Sequence, residues 1–157
     1  MLDFIMSGDE IWKKPVLNKE GLITEINYEI RYNASIEDGS GRLEFKRVNI
    51  YPIVVSHYPE LKPDDKLAEI SGFFPHSIDN ADCEDSARKY EERLKKYTKQ
   101  GIGTALLEQM ILDSKENDNK VLFIITDRPE MQSLLREYGF ISGGLIDRLY
   151  FRLIQDI

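Results

Sequence analysis

At 157 residues, 41% hydrophobic and 31% charged, the chain can bury one ordinary core, and it lacks the apolar-poor composition of a disordered protein. One cysteine, Cys83, excludes an internal disulfide, and with His57 and His76 it makes a poor zinc set, so no structural metal is expected. The net charge of −7 argues against broad nucleic-acid binding, which needs a basic face.

No apolar run approaches the roughly 18 residues of a membrane span. Residues Met1 to Met6 carry neither a basic stretch nor a long apolar run, so a secretory signal is not expected and a cytoplasmic location is. From Gly21 the pattern is strand-like. Leu22, Thr24, Ile26, Tyr28, Ile30 and Tyr32 alternate with polar positions, the period of a half-buried strand. Asp38-Gly39-Ser40-Gly41 reads as a turn, and Leu43 to Val55 as the hairpin partner, with a bulge near Lys46-Arg47 where its phase slips. A third strand is predicted over Leu67 to Phe74. Trp12, Phe73 and Phe74 read as core or cleft wall.

Helices follow. Ala87, Tyr90, Leu94 and Tyr97 form one helical stripe. From Arg88 to Lys99 six basic residues stand against two acidic ones. A second helix is predicted from Gly103 to Lys115, with Leu106, Leu107, Met110 and Ile111 on its apolar side. Val121 to Ile125 is a continuous apolar run, as in a strand buried on both faces and paired in parallel. Pro129 opens another helix that ends at Glu137, before Gly139. Leu145 to Ile154 closes the chain as one or two strands. The expected class is α+β, or mixed α/β, in one domain over 1–157, with an N-terminal strand region over 1–80.

Gln100-Gly101-Ile102-Gly103-Thr104 carries the chemistry. Glycines at a helix start let backbone amides approach a ligand, and the free N–H groups with the helix dipole favour a phosphate. The Lys-Ser/Thr ending of a P-loop is missing, and a dinucleotide fingerprint would need a third glycine where Leu106 stands. Gln100 to Leu107 resembles the pyrophosphate loop of the GNAT family of N-acetyltransferases, Arg/Gln-x-x-Gly-x-Gly/Ala. Val121 to Thr126 resembles the family's central strand, and Tyr138-Gly139-Phe140 the end of its following helix. The resemblance spans Leu67 to Phe151, a cofactor-binding half over 67–151.

The resemblance implies a mostly antiparallel mixed sheet flanked by helices, with a V-shaped splay between Leu67–Phe74 and Val121–Thr126. Gly72, Phe73 and Phe74 would hold the pantetheine arm of acetyl-CoA, and Thr98, Lys99, Gln100, Gly101, Ile102, Gly103 and Thr104 would hold its pyrophosphate. Acetyl transfer to an amine of a small molecule or peptide is the implied activity, without metal, nucleic acid or membrane. Glu69 or His76 would be the base and Tyr138 the acid, because Leu135 occupies the family's usual tyrosine position. Arg128 stands where asparagine is common, and Asp79 to Lys96 is an insertion beside the cleft. The family is often dimeric, so a homodimer is among the implied assemblies. Two alternatives stay open: a degenerate domain that binds acyl-CoA or a protein partner without turnover, and a nucleotide-binding regulatory module.

Overall fold

A computed structural model describes residues 4–6, 9–32, 36–74, 102–143 and 148–156. Eight strands form one sheet in the order β1-β2-β3-β4-β5-β6-β8-β7. They are β1 (Phe4–Met6), β2 (Asp9–Leu17), β3 (Ile23–Tyr32), β4 (Ile36–Arg47), β5 (Lys66–Phe74), β6 (Asn119–Ile125), β7 (Ile141–Ser142) and β8 (Leu149–Leu153). Three α-helices are described: α1 (Pro52–His57), α2 (Ile102–Glu116) and α3 (Pro129–Glu137). Every strand pair is antiparallel except β5 with β6. The class is mixed α+β with a mostly antiparallel sheet, as expected.

The alternating strand of the sequence is β3, whose Ile26, Tyr28 and Ile30 point inward. The apolar run of β6 is buried on both faces. Leu122 and Ile124 join the core under α2 and α3, whereas Val121 and Phe123 join a second core under α1. The first core is built on Leu106, Leu107 and Met110 of α2 and Leu135 of α3, all fully buried. The second gathers Val48, Val54, Leu61, Leu67, Leu149 and Phe151. Gly139, at φ +82°, ends α3 in the left-handed region that only glycine enters without cost.

Several expectations are corrected. Asp38 to Gly41 is not a turn but lies inside β4. A Cβ on Gly41 would lie 2.7 Å from Met110 Cε and 3.3 Å from Leu106 Cδ2, so glycine there admits the helix rather than a reversal of chain. The hairpin partner ends at Arg47 instead of Val55. Val48–Ile50 forms a 3-10 turn, and Pro52 begins α1, because proline's fixed φ suits the first helical turn. The expected bulge near Lys46-Arg47 is displaced to two other places. Ile30 pairs with Gly39 while Arg31 pairs with Glu37, leaving Asp38 extra; Arg42 pairs with Gly72 while Leu43 pairs with Ile70, leaving Ser71 extra.

Strand β2 escaped the sequence reading because Lys13, a charged residue, occupies a core-facing position and masks the alternation. Trp12 on its other face is 42% exposed, with the Arg31 guanidinium 5.4 Å from its ring centroid, so it is not core. The helix expected over 87–97 lies outside the described residues.

Candidate functional site

The parallel pair β5–β6 ends early. Its last rung is Ile70 with Ile124, yet β5 continues to Phe74, paired with β4 on its other side. The extra residue Ser71 bends β5 at the point of parting. It also keeps Ile70 and Phe73 on the same buried face although they are three apart. The two strands therefore splay beyond Ile70, which is the V-shaped gap expected from the sequence.

One side chain crosses this gap. Arg128, the residue before α3, donates from Nη2 to the Phe73 carbonyl at 3.3 Å. Within an extended strand the N–H and C=O of one residue share a side, so Phe73 offers its backbone groups to the gap and Phe74 turns its own toward β4. Phe74 and Ile125, at the outer ends of the splayed strands, are each 57% exposed. Helix α2 begins at Ile102–Gly103, and the first amides of a helix have no intrahelical carbonyl to bond, which suits an anion. Gly103 and Thr104 are half-buried there.

Glu69 lies one residue before the parting, on the α1 side of the sheet, and its register neighbour in β6 is Phe123. Its carboxylate accepts a hydrogen bond from the Tyr51 hydroxyl and another from Lys46 Nζ at 3.2 Å. Only 16% of the Glu69 side chain meets solvent. Tyr51 is fixed by stacking on Phe123, with centroids 4.0 Å apart and rings 18° from parallel. Glu44 of β4 is the register partner of Glu69, a like-charge pair that alone is unfavourable. Two cations relieve it. Lys46 Nζ is 3.9 Å from Glu44, and Arg42 Nη2 is 3.0 Å from Glu44 and 2.7 Å from Glu25. The Arg42 hydrogen bond, then that of Asn27, holds the Glu25 carboxyl below its ordinary range.

Tyr138 is placed differently. It caps the C-terminal end of α3, ten residues and so about 15 Å along the helix from Arg128. Its hydroxyl donates to Glu108 on α2. Loss of solvent, then the Glu108 hydrogen bond and the charges of Glu108 and Glu137, push its pKa up to about 12. Leu135 is fully buried in the core between α3 and the sheet. His76, Thr98, Lys99, Gln100 and Gly101 lie outside the described residues.

The structure thus places Glu69, Phe73 and Arg128 at the splay and leaves Tyr138 apart; contrary to expectation, Gly72 and Phe74 turn their backbone groups toward β4, because they flank Phe73 in an extended strand. Tyr51 and Lys46 were missed by the sequence reading. Tyr51 was assigned to a strand that does not exist there, and Lys46 to the position of a bulge. A tyrosine immediately before Pro52 was the available signal, since Pro at a helix start places the preceding residue at its cap. On the same face as Glu69, His57 packs edge-on against Phe151 at 5.4 Å. Beside it Ile53, Ser56, Ser142 and Gly143 line a shallow cavity of about 210 Å³. His57 is the last residue of α1. Among the described residues no group of three or more His, Cys, Asp or Glu side chains is placed to hold a metal, and no helix is long and apolar enough to cross a membrane.

No protein-family model matches the chain, and no curated protein matches it. Among solved structures, one that it resembles is titled "AtaT complexed with acetyl-methionyl-tRNAfMet", at 10% identity and a TM-score of 0.46, over 83% of this chain and 71% of that one.

Proposed function

We propose that the chain is an acyl-CoA-dependent N-acyltransferase that takes acetyl-CoA and an amine. The observation that carries this reading is the parting of β5 from β6 after Ile70 and Ile124, which leaves the edge of β5 at Phe73 unpaired with β6 in the core that the first turns of α2 cover. An extended, amide-containing arm with a pyrophosphate at its end matches both halves of that arrangement. The first half offers unpaired strand hydrogen bonds, the second free helix amides. When bound, acetyl-CoA supplies the activated acyl thioester.

Glu69 takes a proton from the incoming ammonium, because it is the carboxylate nearest the parting and its hydrogen-bond partners fix its orientation. The Phe73 amide, facing the gap, polarises the thioester carbonyl. Arg128 must release the Phe73 carbonyl when the arm pairs there. Gly103 and Thr104, with residues 98–102, hold the pyrophosphate.

The test is calorimetric titration with CoA, followed by turnover of acetyl-CoA with a panel of amines. Gly103→Val sets a side chain against the approaching phosphate and should weaken CoA binding at least about tenfold, or 1.4 kcal/mol. Unchanged affinity in a folded variant rejects the assignment. The second reading, an acyl-CoA-binding domain without turnover, is favoured by the burial of Leu135 at the usual acid position. Binding without turnover of any amine would select it.

A further inference from the structure

Lys46 occupies an unusual position for a residue of β4. Its Cα pairs with Leu67, yet its Nζ lies 3.2 Å from the carboxylate of Glu69, two residues nearer the splay. The side chain therefore leans along the sheet toward the parting of β5 and β6. Its ammonium rests among the Glu69 carboxylate, the Glu44 carboxylate at 3.9 Å and the Tyr51 ring, whose centroid is 5.9 Å away. Two carboxylates and an aromatic face are what a site for a primary ammonium is made of. Here a lysine of the chain itself fills it, within hydrogen-bond reach of the base assigned above.

We propose that Lys46 is an acceptor in cis: its Nζ is acylated by the thioester bound in the splay. The inference rests on the acyl-CoA reading and names the class of amine that reading leaves open, a primary ammonium on a flexible aliphatic stem. In the step, the bond from Nζ to the acyl carbon forms and the bond from that carbon to sulfur breaks. The nitrogen gives up two protons. One passes to Glu69 and from there to solvent, and the other ends on the released thiolate as CoA thiol. The product is a neutral amide, so the ion pairs of Lys46 with Glu69 and Glu44 disappear with its charge. A free amine of the same class would use the same place only when Lys46 swings out, which its 30% exposed side chain permits.

The experiment is a time course of the full chain with acetyl-CoA, read by peptide mass mapping at two protein concentrations. Lys46 should be acetylated at least about tenfold faster than the exposed Lys62, at a rate independent of protein concentration, as an intramolecular step requires. Glu69→Gln retains an acceptor for Tyr51 and should slow Lys46 acetylation by a factor of about 10² to 10⁴. Lys46→Arg preserves the cation facing Glu69 and should reduce total incorporation to the level of the other lysines. Acetylation of Lys46 no faster than Lys62, or undiminished in folded Glu69→Gln, overturns the proposal. CoA binding and turnover of a free amine with Lys46 unmodified overturns it alone. Failure to bind CoA overturns it together with the reading it rests on.

Discussion

Asp113 shows how a single buried charge organises this molecule. Its side chain is 1% exposed and accepts from Lys13 Nζ at 2.8 Å, Gln109 Nε2 at 3.0 Å and the Tyr28 hydroxyl at 2.6 Å. The three donors come from β2, from α2 itself and from β3, so one carboxylate ties α2 to the N-terminal hairpin. Such a network stabilises only while complete, because each orphaned donor would then be buried without a partner. Asp113→Ala should cost about 3 kcal/mol in denaturant unfolding. Asp113→Asn, which still accepts from Tyr28, should cost less; equal losses would mean that the charge on Asp113 carries the whole effect and a neutral acceptor there contributes nothing. Leu135 makes the complementary point. It is fully buried, so a tyrosine there forces a larger, polar side chain into a filled space. Leu135→Tyr should lose about 1–3 kcal/mol of stability and gain no turnover. A stable, faster Leu135→Tyr enzyme would show that the position faces the chemistry after all.

At the scale of elements, β4 is where sequence and structure diverge most, and the reason is α2. Gly39 and Gly41 carry the chemical signature of a turn, but Gly41 is glycine because Met110 and Leu106 press onto the strand at that point. Gly41→Val should destabilise the fold by about 1–3 kcal/mol through overpacking, checked by chemical denaturation. A neutral change would mean that Met110 swings clear without loss. Elements whose signal is local were legible: the alternation of β3, the doubly buried run of β6, and α3 between Pro129 and Gly139. Elements decided by distant contacts were not. Lys13 of β2 faces the core only because Asp113 waits a hundred residues away, and Tyr51 lies on Phe123 only because α1 folds back over β6. The candidate site divides in the same way. The splay and Glu69 were expected only through the resemblance of the loop and the β6 run, whereas Lys46 and Tyr51 join Glu69 through pairing and stacking that no local spacing encodes.

Over the whole molecule the sheet separates two cores, and the buried polar groups that cross between elements set its response to alkali. Tyr28 on the sheet is pushed well above the ordinary tyrosine range, by burial first and then by the charge and hydrogen bond of Asp113. Tyr138 between α2 and α3 is pushed up to about 12 by loss of solvent and by Glu108. A raised folded-state pKa means that the native protein retains a proton which the unfolded chain releases near pH 10. Below about pH 10 both states bind it, and the contribution of these tyrosines to stability is constant. Above pH 10 the unfolded chain alone ionises, so stability falls as the pH rises, through about 12 for Tyr138 and further for Tyr28. Melting temperatures from pH 8 to 12 should therefore hold level with respect to these groups and then descend. The difference between wild type and variant is the diagnostic quantity. Tyr138→Phe should lose less stability between pH 10 and 12 than wild type does, and Tyr28→Phe should show the same sign while starting from a lower stability at neutral pH. If both variants descend in parallel with wild type, the two hydroxyls are not held protonated by the fold. The joining of the hairpin to α2 through Tyr28, and of α2 to α3 through Tyr138, would then contribute little to its alkaline limit.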